Sequence, residues 1–342
     1  MDIKTVARFN EWWITGKVSD ELFFPFKRYL FLELLKHINS RQMVLLAGLR
    51  RVGKTVLMYQ LIDNLLKNGV MPKNILYFSF DETGYNVNEV IENYQNEILR
   101  KGLARQKIYF FFDEIQKAKD WANQIKIWYD LYPQLKFFLS GSASLSLEKK
   151  SRESLAGRLL EFVLKPLTFQ EFLSIKNIQV KYSEFKIYQN KILPLFIDYL
   201  RKSGFPEIVD QEDEQKIKLY IKNSVIDRII YKDLPLEFGI KDLELLGTLL
   251  NLFFTQPGII VNFDNLSRDL KRDRKTVMNY IYYLRYSLLL RIVLNFRKGV
   301  LVASRKMKKI YPSTTSFIFS QTDKYSEMDF SKNALETFVV NE

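Results

Sequence analysis

Gly48-Leu49-Arg50-Arg51-Val52-Gly53-Lys54-Thr55 has the spacing GxxxxGK[ST], and its residue types answer the needs of a polyphosphate. The two glycines let the backbone wrap so that successive N–H groups point inward. A helix starting at the end of the motif adds the partial positive charge of its N-terminus. Lys54 then reaches the β- and γ-phosphate oxygens, and the Thr55 hydroxyl is placed to ligate Mg²⁺. Context makes the motif specific: the apolar run Met43–Ala47 leads into it, and a helical pattern from Val56 to Lys67 follows. Gly48 through Val56 are therefore candidate nucleotide-binding residues, with ATP and Mg²⁺ as the expected ligands.

A second constellation lies downstream. Lys107-Ile-Tyr-Phe-Phe-Phe-Asp113-Glu114 is a strand that delivers two acids at its C-terminal end, where parallel sheets bind ligands. Asp113 is expected in the metal shell, and Glu114 is expected to polarise the attacking water. An acid beside the metal site argues for ATP hydrolysis and against a small-molecule kinase. The strand ending Ser140-Gly141-Ser142 offers Ser140 as a sensor of the γ-phosphate or water, unless it is an ordinary helix cap. Arg158, just before the fifth apolar run, is a candidate for stabilising transition-state charge across a homo-oligomer interface. The competing reading makes it a solvated or cis-acting base.

These residues need a sheet to hold them. Five short apolar runs, Met43–Ala47, Ile75–Phe80, Ile108–Phe112, Phe137–Leu139 and Glu161–Leu164, alternate with helical stretches. Such runs read as buried parallel strands of an α/β fold. The spacing predicts a P-loop NTPase core over 1–165 with a five-stranded parallel sheet, a helical lid over 166–236, and a winged helix-turn-helix over 237–320. A tail covers 321–342. Residues 20–40 are expected to form one amphipathic helix, and Leu145 to Gly157 another. The 342 residues carry 52 Lys+Arg against 39 Asp+Glu, one histidine and no cysteine. That composition excludes disulfide scaffolds, zinc fingers and thiol nucleophiles, and fits a cytoplasmic protein. His37 reads as structural, and the acids Glu207, Asp210, Glu212, Asp213 and Glu214 read as a solvated loop.

The positive charge is local. Residues 258–311 hold 13 Lys+Arg against 3 Asp+Glu. In that window Asp264–Leu270 reads as a short helix, Lys271–Asp273 as a turn, and Arg274 to Leu288 as a recognition helix. Val277, Ile281 and Leu284 share its core face. Lys275, Asn279, Tyr282 and Tyr286 point elsewhere and are candidates for a DNA major groove. The strand-like pieces Leu290–Phe296 and Val300–Ser304 flank Arg297-Lys298-Gly299, a wing tip suited to phosphates. Double-stranded DNA is the expected partner. The alternative is a slow-hydrolysing nucleotide switch or scaffold whose winged helix docks a protein partner.

The order of motifs is similar to the archaeal and bacterial predicted AAA+ ATPases near the signal-transduction (STAND) and origin-recognition branches. The likeness rests on Gly48–Thr55, Asp113-Glu114-Ile115-Gln116, Ser140-Gly141-Ser142, Leu155-Ala-Gly-Arg158, Lys165-Pro-Leu-Thr-Phe-Gln-Glu171-Phe and Gly204-Phe-Pro206. It implies that Gly204 and Pro206 are lid residues close to the nucleotide, and that Arg28 borders the adenine. It also implies a winged helix after the ATPase, followed in many members by an endonuclease-like domain. Ala334-Leu335-Glu336 resembles the first helix of that domain, whose catalytic set would lie beyond Glu342. No nuclease activity is expected of these residues.

Overall fold

Five parallel strands carry the first unit: β1 (Met43–Gly48), β2 (Ile75–Ser79), β3 (Ile108–Asp113), β4 (Leu135–Gly141) and β5 (Leu159–Leu164). They lie in the order β2-β3-β4-β1-β5, so the phosphate-loop strand β1 and the acid-bearing strand β3 flank β4. In this computed structural model the described residues are 3–81, 84–100, 102–103, 106–142, 154–294, 308–321 and 327–342. They divide into two compact units, Met1–Gly48 with Gly53–Leu164, and Leu49–Val52 with Lys165–Glu342.

The near-continuous apolar runs of β1 to β4 are buried along almost their whole length, as parallel strands covered on both faces must be. Register and side-chain packing agree. Phe110 pairs with Phe137 and Phe111 with Phe138 across β3 and β4. The same pairs stack, at 5.1 Å and 4.8 Å between ring centroids, each contributing about 0.5–1.5 kcal/mol beyond burial. Helices α4 (Lys54–Lys67), α5 (Val87–Asn93) and α6 (Trp121–Leu131) connect the strands. An Asn86–Glu89 capping box starts α5.

The edge strand β2 is closed by side chains. Ahead of the sheet come α1 (Ile3–Arg8), α2 (Trp12–Thr15) and α3 (Leu30–Lys36). Between the first two, the Asn10 carboxamide donates to Tyr77 O (2.8 Å) and accepts from Tyr77 N (2.7 Å), copying a strand's ladder. The indoles of Trp12 and Trp13 both donate to Ile75 O. These contacts use backbone groups that an open edge would leave for another chain. The single helix expected over 20–40 is a correction: only α3 is helical there. Pro25 interrupts the run, and the carbonyls of Phe24 and Phe26 are taken instead by Gln60 Nε2 at 2.6 and 2.8 Å.

The second unit is helical from α7 (Phe169–Ile175) through α8 (Gln189–Lys202), α9 (Glu214–Leu219) and α10 (Leu234–Phe238), with wide turns at Tyr220–Ile226 and Ile229–Asp233. Pro194 does not break α8. It removes one backbone hydrogen bond while the helix buries Ile192, Tyr199 and Leu200. The Lys165–Phe172 motif acquires a physical meaning here: Thr168 and Glu171 form the capping box of α7. Beyond lie α11 (Leu243–Thr255), β6 (Ile259–Val261), α12 (Phe263–Asp269), α13 (Arg274–Tyr286), β7 (Leu290–Val293) and β8 (Lys308–Pro312). The three strands form an antiparallel sheet, β6-β8-β7. The described returning strand is thus β8, while the expected strand Val300–Ser304 and the wing tip Arg297-Lys298 lie outside the described residues. So does most of the expected helix Leu145 to Gly157.

Helices α14 (Thr315–Phe319) and α15 (Glu327–Asn341) complete this unit. The tail is docked within it: Glu336 Oε1 accepts from Tyr311 OH (2.7 Å) and Lys309 Nζ (3.0 Å), and Asn341 donates to Pro312 O. Among the described residues, no helix is long and apolar enough to cross a membrane.

Candidate nucleotide site

The loop between β1 and α4 turns on Gly53, whose φ of +100° is a conformation an L side chain rarely adopts. That turn makes Lys54 the first residue of α4, so the free N–H groups of the helix and the lysine start at one point. Lys54 is buried, and its Nζ donates to Gly48 O at 3.0 Å. Thr55, one residue on, donates from Oγ1 to Asp113 Oδ2 at 2.6 Å. The phosphate loop and the end of the acidic strand, 58 residues apart in sequence, therefore meet as their motifs require.

Asp113 is 4 % exposed, so its carboxylate depends on hydrogen bonds. Oδ2 accepts from Thr55 and from the Tyr77 phenol, the latter at 2.9 Å. Oδ1 accepts from Ser140 Oγ and from the backbone N–H of Glu114 at 3.2 Å. Ser140 is fully buried, and its hydroxyl is engaged with Asp113. Tyr77 has no motif to announce it. Its only sequence signal is its place near the end of β2, beside the acid-bearing strand. Burial, with the Asp113 charge next, pushes its phenol well above the ordinary 10, so it remains a proton donor.

Glu114 adopts left-handed backbone angles, φ 51° and ψ 42°, a strained geometry for a side chain with a Cβ. The turn swings its carboxylate out of the strand line, and Gln116 Nε2 holds Oε2 at 2.7 Å. Gln116 thus has a contact that its place in the Asp-Glu-Ile-Gln motif did not reveal. The oxygens of Thr55 and Asp113 are hard donors of the kind Mg²⁺ takes, with water and phosphate completing its shell. Among the described residues no cluster of three or more His, Cys, Asp or Glu could hold a metal.

The other expected residues are placed as follows. Arg28 is buried at 7 % exposure. Arg158 forms a two-point ion pair with Asp130 of its own chain, at 2.9 and 3.1 Å, and its guanidinium holds the Asp130 carboxyl below its ordinary range. Gly204, in the second unit, has φ +101°, and a Cβ there would stand 3.2 Å from Thr314 Oγ1 and 3.3 Å from Pro166 Cβ. Pro206 opens the short turn Pro206–Ile208 that follows.

The loop tip Leu49–Val52 groups with the second unit. There Arg50 makes two hydrogen bonds to Asp233, at 2.5 and 2.9 Å, and Arg51 pairs with Glu207. Glu207, Asp210, Glu212, Asp213 and Glu214 are all exposed, as the reading of a solvated acidic loop expects, and several of them have partners. Asp210 pairs with Lys176, Glu214 pairs with Arg201, and Asp213 caps α9. On α13 the faces fall as the spacing requires: Val277, Ile281 and Leu284 are buried, while Lys275, Asn279 and Tyr282 are exposed.

This sheet order, loop and acid pair decide the fold. The first unit has the P-loop NTPase fold. Residues 40–173 match the family model of the AAA domain, and residues 193–332 match a domain of unknown function, DUF8612. The AAA match and the P-loop fold imply nucleotide binding. Uncharacterized protein MJ1544 of Methanocaldococcus jannaschii is 30% identical over 293 residues, 84% of this chain and 62% of that protein. An uncharacterized protein of Haemophilus influenzae is 27% identical over 253 residues, covering 72% and 60%. The chain spans 54–62% of the length of these curated relatives and a third. Among solved structures, the Aeropyrum pernix ORC1 protein in complex with DNA is 13% identical over 97% of both chains, with a TM-score of 0.38. Cdc6p from Pyrobaculum aerophilum is 15% identical over 94% and 99%, with a TM-score of 0.36. At these scores the likeness is one of loose chain path.

Proposed function

We propose that the chain is an AAA+-type ATPase that hydrolyses Mg²⁺-ATP and couples its nucleotide state to a DNA-binding winged helix. The observation that carries the ATPase reading is the convergence of Thr55 Oγ1 on Asp113 Oδ2 at 2.6 Å, which joins the phosphate loop bearing Lys54 to the strand end bearing Glu114. Phosphoryl transfer needs positioning and charge more than covalent chemistry. Lys54 exchanges its bond to Gly48 O for the β- and γ-phosphate oxygens, adding a full charge to the loop's N–H groups. Thr55 and Asp113 would hold Mg²⁺, which would neutralise charge on the phosphate oxygens. Glu114, fixed by Gln116, accepts a proton from the water that attacks the γ-phosphorus as the bond to the bridging oxygen breaks. Ser140 keeps Asp113 in place. Arg158 serves a neighbouring subunit only by releasing Asp130.

The winged-helix reading rests on the element order α11, β6, α12, α13, β7, β8 and on the charge of 258–311. Lys275, Asn279 and Tyr282 are the groove-facing residues of α13, and Arg297 and Lys298 are proposed phosphate contacts. The test is phosphate release by the whole chain with and without duplex DNA, at low salt. Stimulation by duplex supports the coupled reading. Turnover that ignores DNA, with no duplex bound, transfers support to the slow switch whose winged helix docks a protein.

A further inference from the structure

We propose that Tyr77 is a positioning residue for the Asp113 carboxylate and sets the affinity of the site for Mg²⁺. This rests on the ATPase reading above. Four donors meet the Asp113 carboxylate: Thr55 and Tyr77 on Oδ2, Ser140 and the Glu114 N–H on Oδ1. The four donors are not equivalent. Thr55 is itself a ligand candidate, whose oxygen can give a lone pair to the cation while its proton stays on Asp113. Ser140 and the Glu114 N–H hold the other oxygen. Tyr77 alone fixes Oδ2 from outside the nucleotide machinery.

Its own position is set from three sides. Asn10, only 1 % exposed, clamps the Tyr77 backbone through both N–H and C=O. Its ring lies against that of Tyr59 on α4, the helix begun by the phosphate loop, at 4.7 Å between centroids. Its hydroxyl ends on Asp113 at 2.9 Å. The N-terminal segment therefore reaches the metal-binding acid through one side chain. A rigid phenol buried in this way cannot follow a carboxylate that rotates, so it holds the oxygen where Thr55 also meets it. Partners in this outer position typically change metal affinity about 10–100-fold.

The test uses the full chain, a fluorescent ADP analogue and Mg²⁺. Tyr77→Phe keeps the ring and removes only the donor. The half-saturating Mg²⁺ concentration for nucleotide binding is expected to rise about 10-fold, with analogue affinity in EDTA unchanged and the protein still folded, its melting temperature lowered by loss of the buried bond. Tyr94→Phe is the control. It removes another buried phenol of the same unit, one bonded to Lys73 O, and is expected to leave the Mg²⁺ midpoint alone. An unchanged midpoint in a folded Tyr77→Phe protein overturns the proposal, as does an equal shift in both variants. Wild-type protein whose nucleotide binding ignores Mg²⁺ overturns the ATPase reading as well, which separates the two failures.

Discussion

The Asp113 carboxylate shows how a buried acid is satisfied: each of its oxygens meets two donors, so leaving water does not leave it unpaired. Lys136 solves the matching problem for a cation. It is 1 % exposed, and its Nζ donates to Ser40 O, Ser40 Oγ and Gln42 O. Burial, with the nearby Lys107 charge adding to it, pushes its ammonium down to about 7 from the ordinary 10.5. The native protein then releases this proton near pH 7, while the unfolded chain holds it until about 10.5. Between those values the unfolded state binds more protons, so this group makes stability rise with pH. Urea unfolding of wild type and Lys136→Met at pH 6.5 and 9 checks this. Wild type is expected to gain on the variant at the higher pH. Parallel behaviour would place the lysine's titration elsewhere.

Among the elements, the turn after α8 carries an unusual density of constraint. Ser203 Oγ meets Thr314 Oγ1 at 2.5 Å and Thr315 Oγ1 at 2.7 Å, and it accepts from Ser316 N at 3.1 Å. Gly204 must hold positive φ against Thr314 in the same turn. Gly204→Ala is expected to destabilise the second unit by about 1–3 kcal/mol through backbone strain and this contact, read as a lowered melting temperature. An unchanged melt would show that Thr314 yields freely. Most of the sheet was legible because each parallel strand is a short apolar run and the acid pair sits at the end of one. What escaped was contact without local pattern. Asn10 reaches Tyr77 across 67 residues, and no spacing rule predicts a carboxamide that imitates a strand. The helical spacing within 20–40 led to one expected helix despite Pro25, and the non-helical backbone there is held by Gln60 at Phe24 and Phe26, 34 to 36 residues away in sequence. The pairing of Arg158 with Asp130 depends on α6 lying beside the turn that precedes β5, which sequence spacing does not reveal.

Over the whole molecule, charge and chemistry are divided between segments. The phosphate loop and both acids lie within 48–114, whereas residues 258–311 hold 13 basic against 3 acidic side chains. Duplex binding is therefore expected to weaken steeply with salt, and Lys275→Ala is expected to lower the log–log slope by about 0.9, one phosphate contact. A slope that the substitution leaves unchanged removes Lys275 from the interface. The narrower proposal is that ATP is hydrolysed where Thr55 and Asp113 meet, with Lys54 and Glu114 as the acting side chains. Phosphate release by Glu114→Gln under saturating Mg²⁺-ATP, beside wild type, tests it most directly. A fall of about 10²–10⁴-fold with ATP affinity retained is expected, and turnover equal to wild type would contradict a base role for Glu114.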